Sequence, residues 1–94
     1  MSPSQEAILR EVQLIMKELF QMDQSRIVPT ARLVEDLDLD SLDALDLAVK
    51  VEDLTGDQLD EQTLRSLKTI EHVVVAVDEM LGAEGLAKLQ AARG

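Results

Sequence analysis

Cysteine, tryptophan and tyrosine are absent from this 94-residue chain, and phenylalanine occurs once. Without cysteine, disulfide bonds, thiolate catalysis and cysteine-based zinc sites are excluded. The shortage of aromatic rings removes the platforms on which single-stranded bases stack. Nucleic acid is therefore a poor candidate partner.

Basic residues are also scarce, with 9 lysines and arginines against 19 aspartates and glutamates and a net charge of −10. This charge repels phosphate backbones and anionic lipid surfaces, so we expect neither nucleic acid nor a membrane as partner. Partners with basic protein surfaces are expected instead. Long apolar runs and a leader-like amino terminus are lacking, which predicts a soluble, cytoplasmic protein, and we expect a monomer.

Apolar residues make up 46% of the chain, enough for the core of one small domain. Their spacing predicts helices over residues 4–20, from residue 41 to a stop at Gly56, over residues 60–67 and over residues 70–81. The run "VVVAV" favours strand by its branched side chains, but no partner strand is visible, so helix is preferred. The predicted N-caps are Ser2, Asp40, Asp60 and Thr69.

The predicted fold is all-α: a four-helix bundle with three longer helices and one short helix. Residues 1–81 form the bundle, and residues 82–94 form an extension that is either a fifth short helix or a frayed tail. The loop over residues 21–40 is unusually long for a compact domain. We expect Ile27, Leu33 and Leu37 to pin it to the bundle.

The second helix is apolar on more than one side. Leu42, Leu45 and Val49 form one stripe, and other sides carry Leu47, Ala48, Val51 and Leu54. A wide apolar surface indicates either a generous core or a docking patch, and of these the core is favoured.

The segment "VEDLDLDSLDALDL", residues 34–47, surrounds Ser41 with five aspartates. Asp36, Asp38 and Asp40 match the first, third and fifth positions of a calcium-binding EF-hand loop. The glycine of that loop is replaced by Ser41, however, and its bidentate glutamate by Leu47. We therefore predict no metal site.

Catalysis by Ser41 would require a base within hydrogen-bonding reach. The chain has one histidine, His72, and nothing in the sequence places it near the serine. The sequence therefore predicts a serine that is modified rather than catalytic, in a protein that is not an enzyme.

The triplet "DSL" at Asp40, Ser41 and Leu42, opening an acidic helix after "LVEDL" and followed later by "LKTIEHVV", resembles the acyl carrier protein family from about residue 33 to residue 77. The resemblance implies a four-helix bundle in which Ser41 receives 4'-phosphopantetheine from coenzyme A through a phosphodiester. Asp40 and Leu42 would flank this arm, whose thiol carries acyl groups. Catalytic residues are not expected.

The resemblance also implies partners: a phosphopantetheinyl transferase, and acyl-loading and acyl-processing enzymes with basic docking surfaces. The expected partner-binding residues are Leu42 and, in addition, Asp36, Asp38, Asp43, Leu45, Asp46, Val49, Glu52 and Asp53. Two alternatives stay open, namely a peptidyl (aminoacyl) carrier protein and an unmodified acidic adaptor with the same fold.

Three positions depart from the family pattern. Asp38 stands where a glycine is common, Lys50 stands where the family has an apolar residue, and Thr55 stands where it has a phenylalanine. They predict a specialised carrier of fatty acid, lipid or polyketide synthesis. Lys50 would weaken docking to general partners of the family. The loss of an aromatic at Thr55 leaves open whether the acyl chain is held inside the bundle.

Overall fold

The structure, a computed structural model, describes residues 2–82 and consists of four α-helices. These are α1 (Pro3–Phe20), α2 (Ser41–Thr55), α3 (Glu61–Ser66) and α4 (Ile70–Leu81), with a short 3-10 turn at Gln24–Arg26. The predicted all-α bundle is confirmed, and the described part of the chain contains no strand. Residues 83–94, which make up all but the first residue of the predicted extension, lie outside the described residues.

The helix ends follow the local capping chemistry. All four predicted N-caps are confirmed, and in each the side-chain oxygen accepts a first-turn amide hydrogen. In α1, α2 and α4 the side chain of the third helical residue in turn accepts a hydrogen bond from the backbone amide of the cap residue, which completes a capping box. Gly56 ends α2 with a left-handed φ of 76°, a conformation that glycine adopts without steric cost.

Among the helices, α4 contributes the most residues to the core. Helix α4 buries Ile70, Val73, Val74, Val77 and Leu81, and α1 buries Ile8, Val12 and Met16. The branched side chains of "VVVAV" are therefore helical, because packing against the core outweighs their modest preference for strand.

The long loop between α1 and α2 is packed against the bundle. Ile27, Leu33 and Leu37 are buried, as predicted. Burial extends to three further loop residues that the sequence pattern did not reveal: Met22, Ala31 and Leu39. The loop is thus a structural layer of the domain.

Backbone hydrogen bonds fix the middle of this loop to the start of α4. The Leu33 amide donates to the Lys68 carbonyl at 2.9 Å, and the Ile70 amide donates to the Ala31 carbonyl at 3.0 Å. A third bond joins the Glu71 amide to the Pro29 carbonyl at 2.9 Å. Because these contacts satisfy otherwise unpaired groups on both segments, they hold the chain that leads to Ser41 in a defined place.

Candidate functional site

Ser41 is the first residue of α2 and is exposed. Its turn is fixed by two reciprocal bonds: the Asp43 amide donates to Asp40 Oδ1 at 3.0 Å, and the Asp40 amide donates to Asp43 Oδ2 at 3.2 Å. Within residues 2–82 no hydrogen bond occupies Ser41 Oγ. The hydroxyl is therefore presented to solvent on a rigid backbone.

The first turn of α2 also has unused donors. The Ala44 amide bonds to the Asp40 carbonyl at 3.0 Å, whereas the Ser41 and Leu42 amides meet no acceptor in the part of the chain described. Free amides and the positive end of the helix dipole both favour an anion at this position. A phosphate attached to Ser41 fits this environment.

The apolar stripe of α2 faces solvent, so the preference for a core role was wrong for this stripe. The exposed fraction is 71% for Leu42, 51% for Leu45 and 54% for Val49. The opposite side of the helix buries Leu47, Ala48 and Val51 against the rest of the bundle. Exposed aliphatic side chains clustered on one helix are typical of an interaction surface.

Two carboxylates lie on the same outward side of α2. At about 100° per residue, Asp46 and Asp53 fall within the arc that contains Leu42 and Val49. Both are exposed. We call the set Leu42, Leu45, Asp46, Val49 and Asp53 the outward face of α2. It extends from the turn that carries Ser41 along the length of the helix.

Asp36 lies in the loop before α2 and holds a turn together. Its carboxylate accepts the Arg32 amide at 2.8 Å and pairs with Arg32 Nε at 3.3 Å. The backbone hydrogen bond, followed by the bond from the arginine side chain, holds the pKa of Asp36 below its usual value. Asp36 is thus already bound within the loop.

Asp38 adopts a left-handed conformation with φ of 57°. Aspartate tolerates this region better than most side chains, although glycine adopts it most readily. The glycine expected by resemblance at this position therefore has a structural explanation. Its replacement leaves an exposed carboxylate three residues before Ser41.

Glu52 points toward the connection between α2 and α3. Its Oε2 accepts the Leu59 amide at 2.8 Å, and the residue is partly buried. Nearby, Thr55 Oγ1 donates to the Val51 carbonyl at 3.0 Å and accepts the Asp57 amide at 3.2 Å. Together Glu52 and Thr55 tie this connection to α2, a role that the sequence did not reveal.

A small apolar cavity lies behind α2. Its volume is about 30 Å³. Aliphatic side chains from α2, α3, α4 and the connecting segments line it, including Leu33, Leu47, Val51, Leu59 and Val73. Thr55, where the resemblance expects an aromatic, does not line it, and Leu54, one residue earlier, packs against the core.

His72 serves as a capping residue of α4. Its Nδ1 accepts the Lys68 amide at 3.0 Å and the Thr69 amide at 3.3 Å. Within residues 2–82 no cluster of three potential metal ligands is found, and no helix there is long and apolar enough to cross a bilayer.

Comparison with known proteins agrees with this geometry. Residues 10–77 match the family described as "Phosphopantetheine attachment site". Acyl carrier protein 2 of Ralstonia nicotianae is 41% identical over 76 residues, which cover 81% of this chain and 94% of that protein. The acyl carrier protein of Coprothermobacter proteolyticus is 36% identical over 76 residues, 81% of this chain and 93% of its own.

A more specialised relative is the meromycolate extension acyl carrier protein of Mycobacterium leprae. It is 32% identical over 80 residues, which cover 85% of this chain and 70% of that protein. These relatives favour an acyl carrier over an aminoacyl carrier or an unmodified adaptor. The chain belongs to the acyl carrier protein family and is a carrier of acyl groups on a covalently attached 4'-phosphopantetheine.

Proposed function

We propose that Ser41 is the residue to which 4'-phosphopantetheine is attached. The observation that carries this proposal is the exposed, unbonded Ser41 Oγ on the capped first turn of α2. Transfer from coenzyme A forms a phosphodiester at this oxygen, and adenosine 3',5'-bisphosphate leaves. Once attached, the group supplies a terminal thiol that holds acyl groups as thioesters.

The residues around Ser41 orient the attachment point. Asp40 and Asp43 fix the backbone of the first turn through their reciprocal hydrogen bonds. The free amides of Ser41 and Leu42 offset part of the repulsion that these carboxylates exert on a phosphate. Asp40 thus positions the serine, and Leu42 begins the surface beside it.

We further propose that the protein has no catalytic activity of its own. Within residues 2–82 no hydrogen bond joins Ser41 Oγ to a base, and His72 Nδ1 accepts two backbone amides at the start of α4. The chemistry on the carried group then belongs to the partner enzymes. We place the protein in the cytoplasm with these enzymes.

The outward face of α2 is proposed as the docking surface for a phosphopantetheinyl transferase and for acyl-loading and acyl-processing enzymes. Its aliphatic side chains bury apolar area on contact, and its acids attract basic rims around enzyme active sites. Asp38 and Asp43 add charge near Ser41. For Asp36 and Glu52 we propose a lesser share in docking, since their carboxylates already bind backbone amides.

The acyl groups proposed are intermediates of fatty acid, lipid or polyketide synthesis, carried for a specialised pathway. Support comes from the departures at Lys50 and Thr55, and from a relative that is named for meromycolate extension. The small cavity behind α2, about 30 Å³ in volume, would have to enlarge to hold an extended acyl chain.

Intact-mass measurement tests the attachment site. Incubation with coenzyme A and a broad-specificity phosphopantetheinyl transferase should add one phosphopantetheine to the wild type and none to Ser41→Ala. Ser66→Ala is the matched control, because it removes another exposed serine hydroxyl, and it should be modified fully. Modification of Ser41→Ala, or of none of the three proteins, would contradict the proposal.

A further inference from the structure

Lys50 adds a positive charge to the docking helix. It is the one cation within residues 41–55, and it is exposed. Helical geometry places it one turn after Asp46 and one turn before Asp53, at the edge of the outward face of α2. The surface therefore presents charges of both signs around Val49.

The Lys50 ammonium group is not neutralised by its neighbours. Aspartate four residues before lysine is a favourable arrangement for an ion pair, yet no ion pair or hydrogen bond engages the Lys50 side chain within residues 2–82. Elsewhere in the chain the same spacing does give ion pairs, between Arg32 and Asp36 and between Glu61 and Arg65. The lysine charge is thus available to a partner.

We propose that Lys50 is a specificity-determining residue, and that the enzymes this carrier serves place a carboxylate opposite it, between the cations that meet Asp46 and Asp53. The inference rests on docking through α2. It identifies the partner as a protein whose docking surface is basic but interrupted by an acid.

The physical reason is the cost of an unmatched charge at a closing interface. When Val49 and Leu45 are covered, water around Lys50 is displaced, and a partner cation opposite the ammonium group then repels it with little screening. An enzyme with a uniformly basic docking surface therefore binds the carrier less tightly, whereas an enzyme with a carboxylate opposite Lys50 gains a charge pair. The same residue therefore attracts one class of partner and rejects the other.

Transferase kinetics provide the first test. With a broad-specificity phosphopantetheinyl transferase whose docking rim is uniformly basic, kcat/KM at low salt should rise about three- to tenfold for Lys50→Glu relative to wild type. The control Arg10→Glu makes the same change in net charge at an exposed position of α1 and should change kcat/KM less than about twofold. An equal rise in both variants, or none in Lys50→Glu, would overturn the proposal.

Charge reversal on the enzyme provides the second test. Each basic residue of the transferase rim is replaced by glutamate in turn, and kcat/KM is measured with wild-type carrier and with Lys50→Glu. One replacement should invert the preference, so that the wild type becomes the better substrate. If no replacement inverts it, the proposed pairing is wrong. Modification of Ser41 in any of these assays leaves the proposed carrier function intact, so the two failures are distinguishable.

Discussion

Helices α2 and α4 begin alike and end up in different roles. Both start with a capping box, but α4 buries five residues, whereas the longer α2 buries three and exposes Leu42, Leu45 and Val49. Helix α4 leaves one side with Val75 exposed, but five of its twelve residues are buried, against three of fifteen in α2. The difference indicates that α4 contributes more to stability than α2, and it supports the proposal that partners dock on the outward face of α2.

The largest expected effect is on the free energy of unfolding, and it compares the change of valine to alanine at one buried and one exposed position. Val77 is fully buried in α4, and Val49 is 54% exposed in α2. Val77→Ala should lower the free energy of unfolding by about 2 to 3 kcal/mol, through lost burial and an added cavity. Val49→Ala should change it by less than about 0.5 kcal/mol, because alanine favours helix. Urea denaturation measures both, and equal losses would contradict the division of roles.

The reverse test concerns docking. Val49→Ala should reduce kcat/KM for transfer of phosphopantetheine about five- to tenfold, equivalent to about 1 to 1.4 kcal/mol, because it removes an apolar contact from the interface. Val75→Ala is the matched control, since Val75 is the exposed valine of α4. It should leave the rate unchanged. Similar losses from both valines would place docking outside the outward face of α2.

Removal of the N-cap side chain should have different effects on the rate of Ser41 modification in the two helices. Thr69→Ala and Asp40→Ala each remove a side chain that accepts a first-turn amide, so each should cost about 1 kcal/mol of stability. Only Asp40→Ala should also slow modification of Ser41, because only that cap holds the attachment turn. Thermal denaturation and intact-mass kinetics check the two effects, and slowed modification of Thr69→Ala would argue against a local role for Asp40.

The smallest effect concerns the short helix α3. Hydrogen bonds from the backbone and then the side chain of Thr63 lower the pKa of Asp60 from its usual 3.8. The ionised form of Asp60 therefore stabilises the fold at pH values above its usual pKa. This contribution is lost as the pH falls through the lowered pKa of the folded state. Asp60→Asn should flatten the dependence of unfolding free energy on pH below about 4, as measured by denaturation at several pH values. An unchanged slope would show that the cap contributes nothing there.

Sequence sufficed for the helices because their limits depend on local chemistry. Asp40 and Thr69 cap through residues only three positions away, and Gly56 ends α2 through its own backbone. The exposed position of Ser41 at the start of α2 could be predicted for the same reason, since the cap that precedes it is its neighbour in the chain.

Contacts distant in sequence could not be predicted. Glu52 resembles an ordinary exposed acid until the connection after α2 returns the Leu59 amide to it. Likewise, apolar residues on several sides of α2 suggested a wide core, but the side that carries Leu42 and Val49 is exposed. Which side of a helix is buried depends on the neighbouring helix, and that neighbour's position is not encoded locally.

The bonds between the long loop and the start of α4 have a consequence for delivery of cargo. With the arm on Ser41, as proposed, these bonds anchor its base to the bundle, because they tie the loop before Ser41 to the start of α4. The reach of a carried thioester is then the length of the pantetheine chain, measured from a fixed pivot. For an enzyme that docks on α2, the distance from the attachment point to the thioester is then set by the arm. The depth of the enzyme's active-site tunnel can be matched to that distance.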